Sequence, residues 1–210
     1  FLRRLKNSPF QVSPRRSVRM NGWAVWVVEP LADLASFGAG RSMFGTMIAL
    51  EIDGRPVLGL IHAPALAKTW WAVRDLGAYT GTGLDRSTTP WKRVSSSSTR
   101  SLREAFICHH GRPGLRGDTP ERLDALLQTV RRDRTMDGLW AHMLVAEGKT
   151  DAAIDLDASP FELPAFRLIV EESGGRVVCG EASHLPSDRM AIVSSNASLS
   201  TALAAWFTAA

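Results

Sequence analysis

The 210-residue sequence predicts an α/β protein, and three observations carry that prediction. An apolar run rich in β-branched residues, Trp26-Val27-Val28, stops abruptly at Glu29-Pro30, as a buried strand does when it delivers a polar group to the rim of a sheet. Closely spaced strand patterns follow, two of them joined by the hairpin dipeptide Asp53-Gly54. Beyond residue 119, apolar helical stripes with start and stop signals alternate with short apolar strands.

Taken in order, residues 1–22 form a basic arm broken by Pro9 and Pro14. Residues 23–28, 43–51, 57–62 and 69–73 have the composition of strands. Residues 81–90 form a polar loop, 91–95 a short strand, and the run Ser95-Ser96-Ser97-Ser98 is too short for a domain linker but suited to capping the next element. Residues 104–109 read as a strand and 112–118 as a loop. Thr119-Pro120-Glu121 then opens a helix whose stripe is Leu123, Leu126, Leu127 and Val130. A second helix at 138–147 is stopped by Gly148, and a strand follows at 152–156. A third helix at 162–173 is closed by Gly174-Gly175. Strands at 176–179 and 190–194 and a helix at 198–208 complete the chain. The organisation expected is a basic arm and one domain over 23–210, built as two closely packed lobes of about 23–105 and 106–210.

Composition narrows the function classes. With 45% hydrophobic and 22% charged residues, the chain has enough apolar material for a real core and matches no class but globular. No apolar run is long enough to cross a membrane and nothing argues for export, so the cytoplasm is the expected location. The net charge of +4 is unevenly placed: Arg3, Arg4, Lys6, Arg15, Arg16 and Arg19 precede the first acid, and the remainder nets −2. A basic arm on a mildly acidic body reads as a solvated terminus, so neither nucleic acid nor membrane is an expected partner. Cys108 and Cys179 read as core thiols.

The order of several segments resembles the inositol monophosphatase family, in particular its histidinol-phosphate phosphatase branch. That family carries Asp-Pro-(Ile/Leu)-Asp-Gly-Thr at a strand end, where this chain has Glu29-Pro30-Leu31-Ala32-Asp33-Leu34. Ser36-Phe37, Gly40, the strand from Phe44 to Leu50, Gly54-Arg55-Pro56-Val57-Leu58-Gly59, Ala63-Pro64 and Trp70-Trp71-Ala72 come next in step. So do Met143-Leu144-Val145-Ala146-Glu147-Gly148, Leu168-Ile169-Val170-Glu171-Glu172-Ser173-Gly174-Gly175 and Ser194-Ser195-Asn196. The resemblance implies a layered αβαβα sandwich and a homodimer. It also implies a further helix, a strand and a Gly-Glu-Glu loop before the Asp-Pro strand, for which there is no room between Pro14 and Trp23. Either this member has lost that segment or the sequence joins residues that flank it.

The family's Mg²⁺ ions bridge a phosphate ester and polarise a water, which takes several converging carboxylates. Here the first aspartate of the motif is Glu29, the second is Ala32, and the third, from a Trp-Asp pair at a helix start, falls at Glu162 in Phe161-Glu162. Asp33-Leu34 replaces the Gly-Thr that binds phosphate. These departures lead to the expectation that the Mg²⁺ site is lost and no cofactor is needed, with Glu29, Asp33 and Glu162 doing acid/base chemistry on a small molecule. Arg41, Asp137, Trp140 and Arg167 are the expected substrate-binding residues. Two alternatives stand beside this reading: a Mg²⁺-dependent phosphatase of a small ester such as histidinol phosphate or inositol phosphate, and a non-catalytic binding protein. His62, His109, His110 and His142 read as satisfied loop or core residues.

Overall fold

The computed structural model describes residues 17–20, 24–84, 90–110, 119–136, 138–179, 185 and 190–208. The chain divides into two compact units, one of Phe1–Lys92 with Pro160–Ile169, the other of Arg93–Ser159 with Val170–Ala210.

The first unit is organised on a seven-stranded sheet. Its strands are β1 (Ser17–Met20), β2 (Ala24–Ala32), β3 (Gly45–Ile52), β4 (Arg55–Ala63), β5 (Lys68–Val73), β6 (Gly77–Thr82) and β7 (Lys92–Arg93), side by side in chain order. Antiparallel neighbours need only short connections, and Asp53-Gly54 makes the tightest, with both residues at positive φ. Alternation then sorts the side chains. Val27, Met47, Ala49, Ile61, Trp70, Ala72 and Ala78 are buried on one face. Trp26, Ile48, Leu50, Leu58, Leu60, Trp71 and Tyr79 are half-buried on the other. Gly59 shares the buried row with Ala49 and Ala72, and a Cβ there would lie 2.8 Å from the carbonyl oxygen of Ala165. The small row is therefore what admits the helix carrying Ala165 so closely.

The second unit holds a five-stranded mixed sheet. Its strands are β8 (Phe106–His109), β9 (Arg132–Thr135), β10 (Ala152–Asp155), β11 (Arg176–Cys179) and β12 (Ala191–Ser194), in the order β11-β12-β10-β8-β9. β8 runs parallel to both β9 and β10, which demands crossovers, and helices supply them. After α1 (Leu34–Gly38) in the first unit come α2 (Thr119–Thr129), α3 (Gly138–Ala146), α4 (Leu163–Glu172) and α5 (Ala197–Thr208). The residues of α4 up to Ile169 belong to the first unit. Ile107, Leu123, Leu126, Ile154, Ile192, Leu199, Leu203 and Phe207 form the core of the second.

Three elements differ from expectation. Ser17–Met20, inside the stretch read as a basic arm, is an edge strand paired with β2. β6 and β9 were not foreseen; β9, Arg-Asp-Arg-Thr, has no apolar alternation because it is an edge, where charge is the usual protection. The serine run caps no helix. Ser96 donates its N–H and hydroxyl to the Ser173 carbonyl, at 2.9 and 3.2 Å, and its hydroxyl also to that of Ser195 at 2.7 Å. Ser97 donates to Asp151, whose other oxygen accepts the Phe106 N–H at 2.7 Å. Both thiols are free, and burial pushes that of Cys108 up. The loop predicted at 112–118 and residues 85–89 of the one at 81–90 lie outside the described residues. No helix among the described residues is long and apolar enough to cross a membrane.

Candidate functional site

The end of β2 is where the sequence placed its first acid. Glu29 pairs with Met47 and is 3% exposed. Pairing then becomes irregular up to Ala32, since Pro30 has no N–H to give the ladder. Its carbonyl accepts instead from the Thr46 hydroxyl at 2.9 Å, and the Leu31 N–H reaches back to Glu29 Oε1 at 3.4 Å.

Ala32 is buried at 2% exposure and offers no donor atom. Asp33 turns the chain in the left-handed region, φ 60° and ψ 63°, and caps α1: one carboxylate oxygen accepts the Ser36 N–H and the other its hydroxyl, both at 2.8 Å. The family's glycine position is thus a real backbone requirement, met here by one of the few other residue types that tolerate it. Leu34 and Phe37 stand exposed at 68% and 51%, Phe37 edge-on to Phe44. Arg41 is exposed in the turn beyond, its N–H bonded to the Ser36 carbonyl at 2.9 Å.

Glu162 sits half-buried just before α4, its carbonyl accepting the Phe166 N–H, and Arg167 lies half-buried on that helix. Both belong to the first unit, as do Glu29, Asp33 and Arg41. Trp140, half-buried on α3, belongs to the second, and Asp137 lies outside the described residues.

Sequence reasoning missed a cluster in the second unit. Asp155 closes β10 after Ala152-Ala153-Ile154, all buried, and is itself 4% exposed. Its Oδ2 lies 3.3 Å from Nε2 of His142, which α3 buries completely, and its Oδ1 accepts the Asp157 N–H at 3.0 Å and lies 3.9 Å from Nδ1 of His110. Burial alone would push the Asp155 carboxyl up. The imidazole of His142 beside it, then the Asp157 N–H and His110, outweigh burial and hold it below its ordinary value. His109, by contrast, pairs with Asp133 at 3.4 Å. The available signal was the one used at Glu29, an apolar run ended by an acid; the short strand muted it.

Two of the cavities that open on the described surface involve none of these residues. One of about 510 Å³ lies between α2 and α5, lined by Arg122, Ala125, Ala202 and Trp206 among others; one of about 400 Å³ is lined by Trp71, Tyr79, Pro90 and Trp91.

The model of the inositol monophosphatase family matches residues 12–209. The chain belongs to that family. Among its relatives are the histidinol-phosphatases of Streptomyces coelicolor and Mycobacterium tuberculosis, 35% and 36% identical over 157 residues, or 71% and 72% of this chain. The chain spans 57% of the length of each. Among solved structures, an inositol monophosphatase from Zymomonas mobilis superposes with a TM-score of 0.76 at 23% identity, covering 90% of this chain and 72% of that one. A Thermotoga maritima IMPase gives 0.72 at 21%, covering 90% and 70%. The family's αβαβα fold, expected from the resemblance, is the fold of this chain.

Family membership corrects one expectation. The inositol monophosphatases and histidinol-phosphatases are Mg²⁺-dependent phosphatases, so the inference from Ala32 and Asp33-Leu34 that no cofactor is needed is overturned. The inference counted lost carboxylates against the family pattern. Mg²⁺ itself asks for less, one or two carboxylates with the substrate phosphate and water completing six oxygens. The oxygen donors of Glu29 and Glu162 suit that requirement, whereas Ala32 supplies none and the Asp33 carboxylate is taken up by Ser36.

Proposed function

We propose that this protein is a Mg²⁺-dependent phosphatase of a small phosphate monoester, with histidinol phosphate the leading candidate and inositol phosphates next. The observation that carries the reading is the 35–36% identity to two histidinol-phosphatases over 157 residues. Glu29 and Glu162 would hold the metal. When bound, Mg²⁺ supplies Lewis-acid polarisation of the ester and a more acidic water. Arg41 and Arg167 offer guanidinium groups to the phosphate, for which their planar donor fork is suited. The protein works as a homodimer, which sedimentation of the purified chain reads directly.

Phosphate release from histidinol phosphate and from inositol phosphates, measured against Mg²⁺ concentration, tests the reading. We expect turnover that EDTA abolishes, and Glu29→Gln to weaken Mg²⁺ by more than the ~10–100-fold typical of outer-shell residues. Turnover indifferent to EDTA removes the reading. Ala32 favours one other outcome, a protein that binds the ester without hydrolysing it; Mg²⁺-dependent binding with no phosphate released would establish that instead.

A further inference from the structure

The seven-stranded sheet meets Ala165 on one face; its other face carries an aromatic corner that neither the core nor the proposed chemistry uses. Trp71 on β5 and Tyr79 on β6 are cross-strand partners, and their rings stack at 4.6 Å with 15° between planes. Trp91, just before β7, stands edge-on to Trp71 at 6.1 Å and 89°. Gly81, two residues after Tyr79 and so on the same face, seats it: a Cβ there would lie 2.5 Å from the Trp91 ring. The Tyr79 hydroxyl donates to the Leu76 carbonyl at 3.1 Å, which fixes that ring as well. With exposed Pro90, the three half-buried rings line a cavity of about 400 Å³.

Rigid aromatic rings on the water side of a sheet mark a place where something docks, and their chemistry narrows what that is. Among the described residues the cavity lining carries no charge, and the indole N–H groups of Trp71 and Trp91 make no hydrogen bond. Flat apolar walls at right angles, with N–H donors beside them, match an extended proline-rich segment. Proline rings enter between aromatic side chains, and a polyproline II backbone, having no internal hydrogen bonds, presents free carbonyls. Exposed Lys92 follows Trp91 directly, so acidic residues beside the prolines complement the rim. The same charge argues against this chain's own proline-bearing segment, Pro9 to Pro14, which lies among Arg3, Arg4, Lys6, Arg15 and Arg16. We propose that Trp71, Tyr79, Pro90 and Trp91 form a docking groove for an acidic, proline-rich segment of a partner protein in polyproline II conformation. All four belong to the first unit and lie on the sheet face opposite Glu29, so docking is separate from the proposed phosphate chemistry.

Calorimetric titration of the full chain with a capped peptide repeating Pro-Pro-Glu three times tests this, read beside the indole N–H signals in a ¹⁵N NMR spectrum. Saturable binding is expected, with the Trp71 and Trp91 signals the most shifted of the seven tryptophans. Trp91→Ala should weaken it about tenfold or more. Gly81→Ala, which alters no lining side chain but drives the Trp91 ring from its seat, should weaken it by a similar factor. Lysine for glutamate in the peptide should weaken binding at low salt, and alanine for proline should abolish it. Absence of saturable binding overturns the proposal, as does binding that a folded Trp91→Ala leaves unchanged. Should Trp91→Ala not fold, Trp91→Leu and the peptide series carry the same readings. A peptide of residues 7–15 that binds as tightly as the acidic one gives the groove to this chain's own arm, and self-association lost in Trp91→Ala gives it to a second copy; either result overturns the proposal.

Discussion

At the end of β2, Glu29 is followed by a proline, an irregular pairing and a left-handed turn, and the nearest acid, Asp33, spends both oxygens on Ser36. At the end of β10, Asp155 accepts the N–H of Asp157, two residues on, through Oδ1, and its Oδ2 lies 3.3 Å from Nε2 of His142 on another element. Both strands close an apolar run with a buried acid. The first rim is shaped mostly by its own short stretch of chain, whereas the second adds to such a local bond a histidine distant in sequence. The difference separates the acid proposed to hold a hard cation from one whose charge the protein compensates itself.

Equal costs of removing the two acids would erase that distinction. Asp155→Ala removes the carboxylate that meets buried His142 and should cost about 3 kcal/mol, whereas Glu29→Ala should cost no more than about 1 kcal/mol; urea unfolding of both variants measures the gap. Acid widens the contrast. Because the Asp155 carboxyl is held below its ordinary value in the folded protein, its contribution is complete above the unfolded-chain value near pH 4 and is lost as pH falls through the lower folded one. Asp155→Asn should therefore flatten the stability profile below about pH 4, and a profile as steep as wild type would show that these neighbours are not what holds the charge. The smallest effect belongs to the first rim. Asp33→Gly gives up the cap but relieves a left-handed residue, so stability should rise by about 0.5 kcal/mol, read from the thermal midpoint, while Asp33→Ala loses the cap, keeps the strain and should fall by about 1 kcal/mol.

The antiparallel sheet was largely legible because its signals are local: period-two patterns, Asp53-Gly54, an acid and proline ending a strand. The second unit was legible in its helices and apolar strands but not in what ties them. Nothing in a run of four serines announces that Ser96 will bond carbonyls 77 and 99 residues away, nor does β9 betray itself when every side chain is polar or charged. The same limit applies to the site. Glu29 and Glu162 were found by motif, and Asp33 was found but given a chemical task when its backbone conformation makes it a cap. Asp155 was passed over and His142 set aside as a core residue, because their meaning lies in a contact across 13 positions. The cofactor expectation failed for a different reason: it treated departure from the family's ligand count as loss of the ion, although the ion needs fewer protein oxygens than that count.

The near contact between Gly59 and Ala165 also bears on how the chain is made. The strands up to Thr82 leave the ribosome about eighty residues before Leu163 opens the helix that lies against them. At roughly 5–20 residues per second, the row of Met47, Ala49, Ile61, Ala72 and Ala78 waits several seconds for that cover during synthesis. A nascent chain halted before Pro160 therefore displays a sheet with one apolar face bare, a ready substrate for chaperones or for its own neighbours on the same message, and a helix made some eighty residues later decides the fate of the sheet.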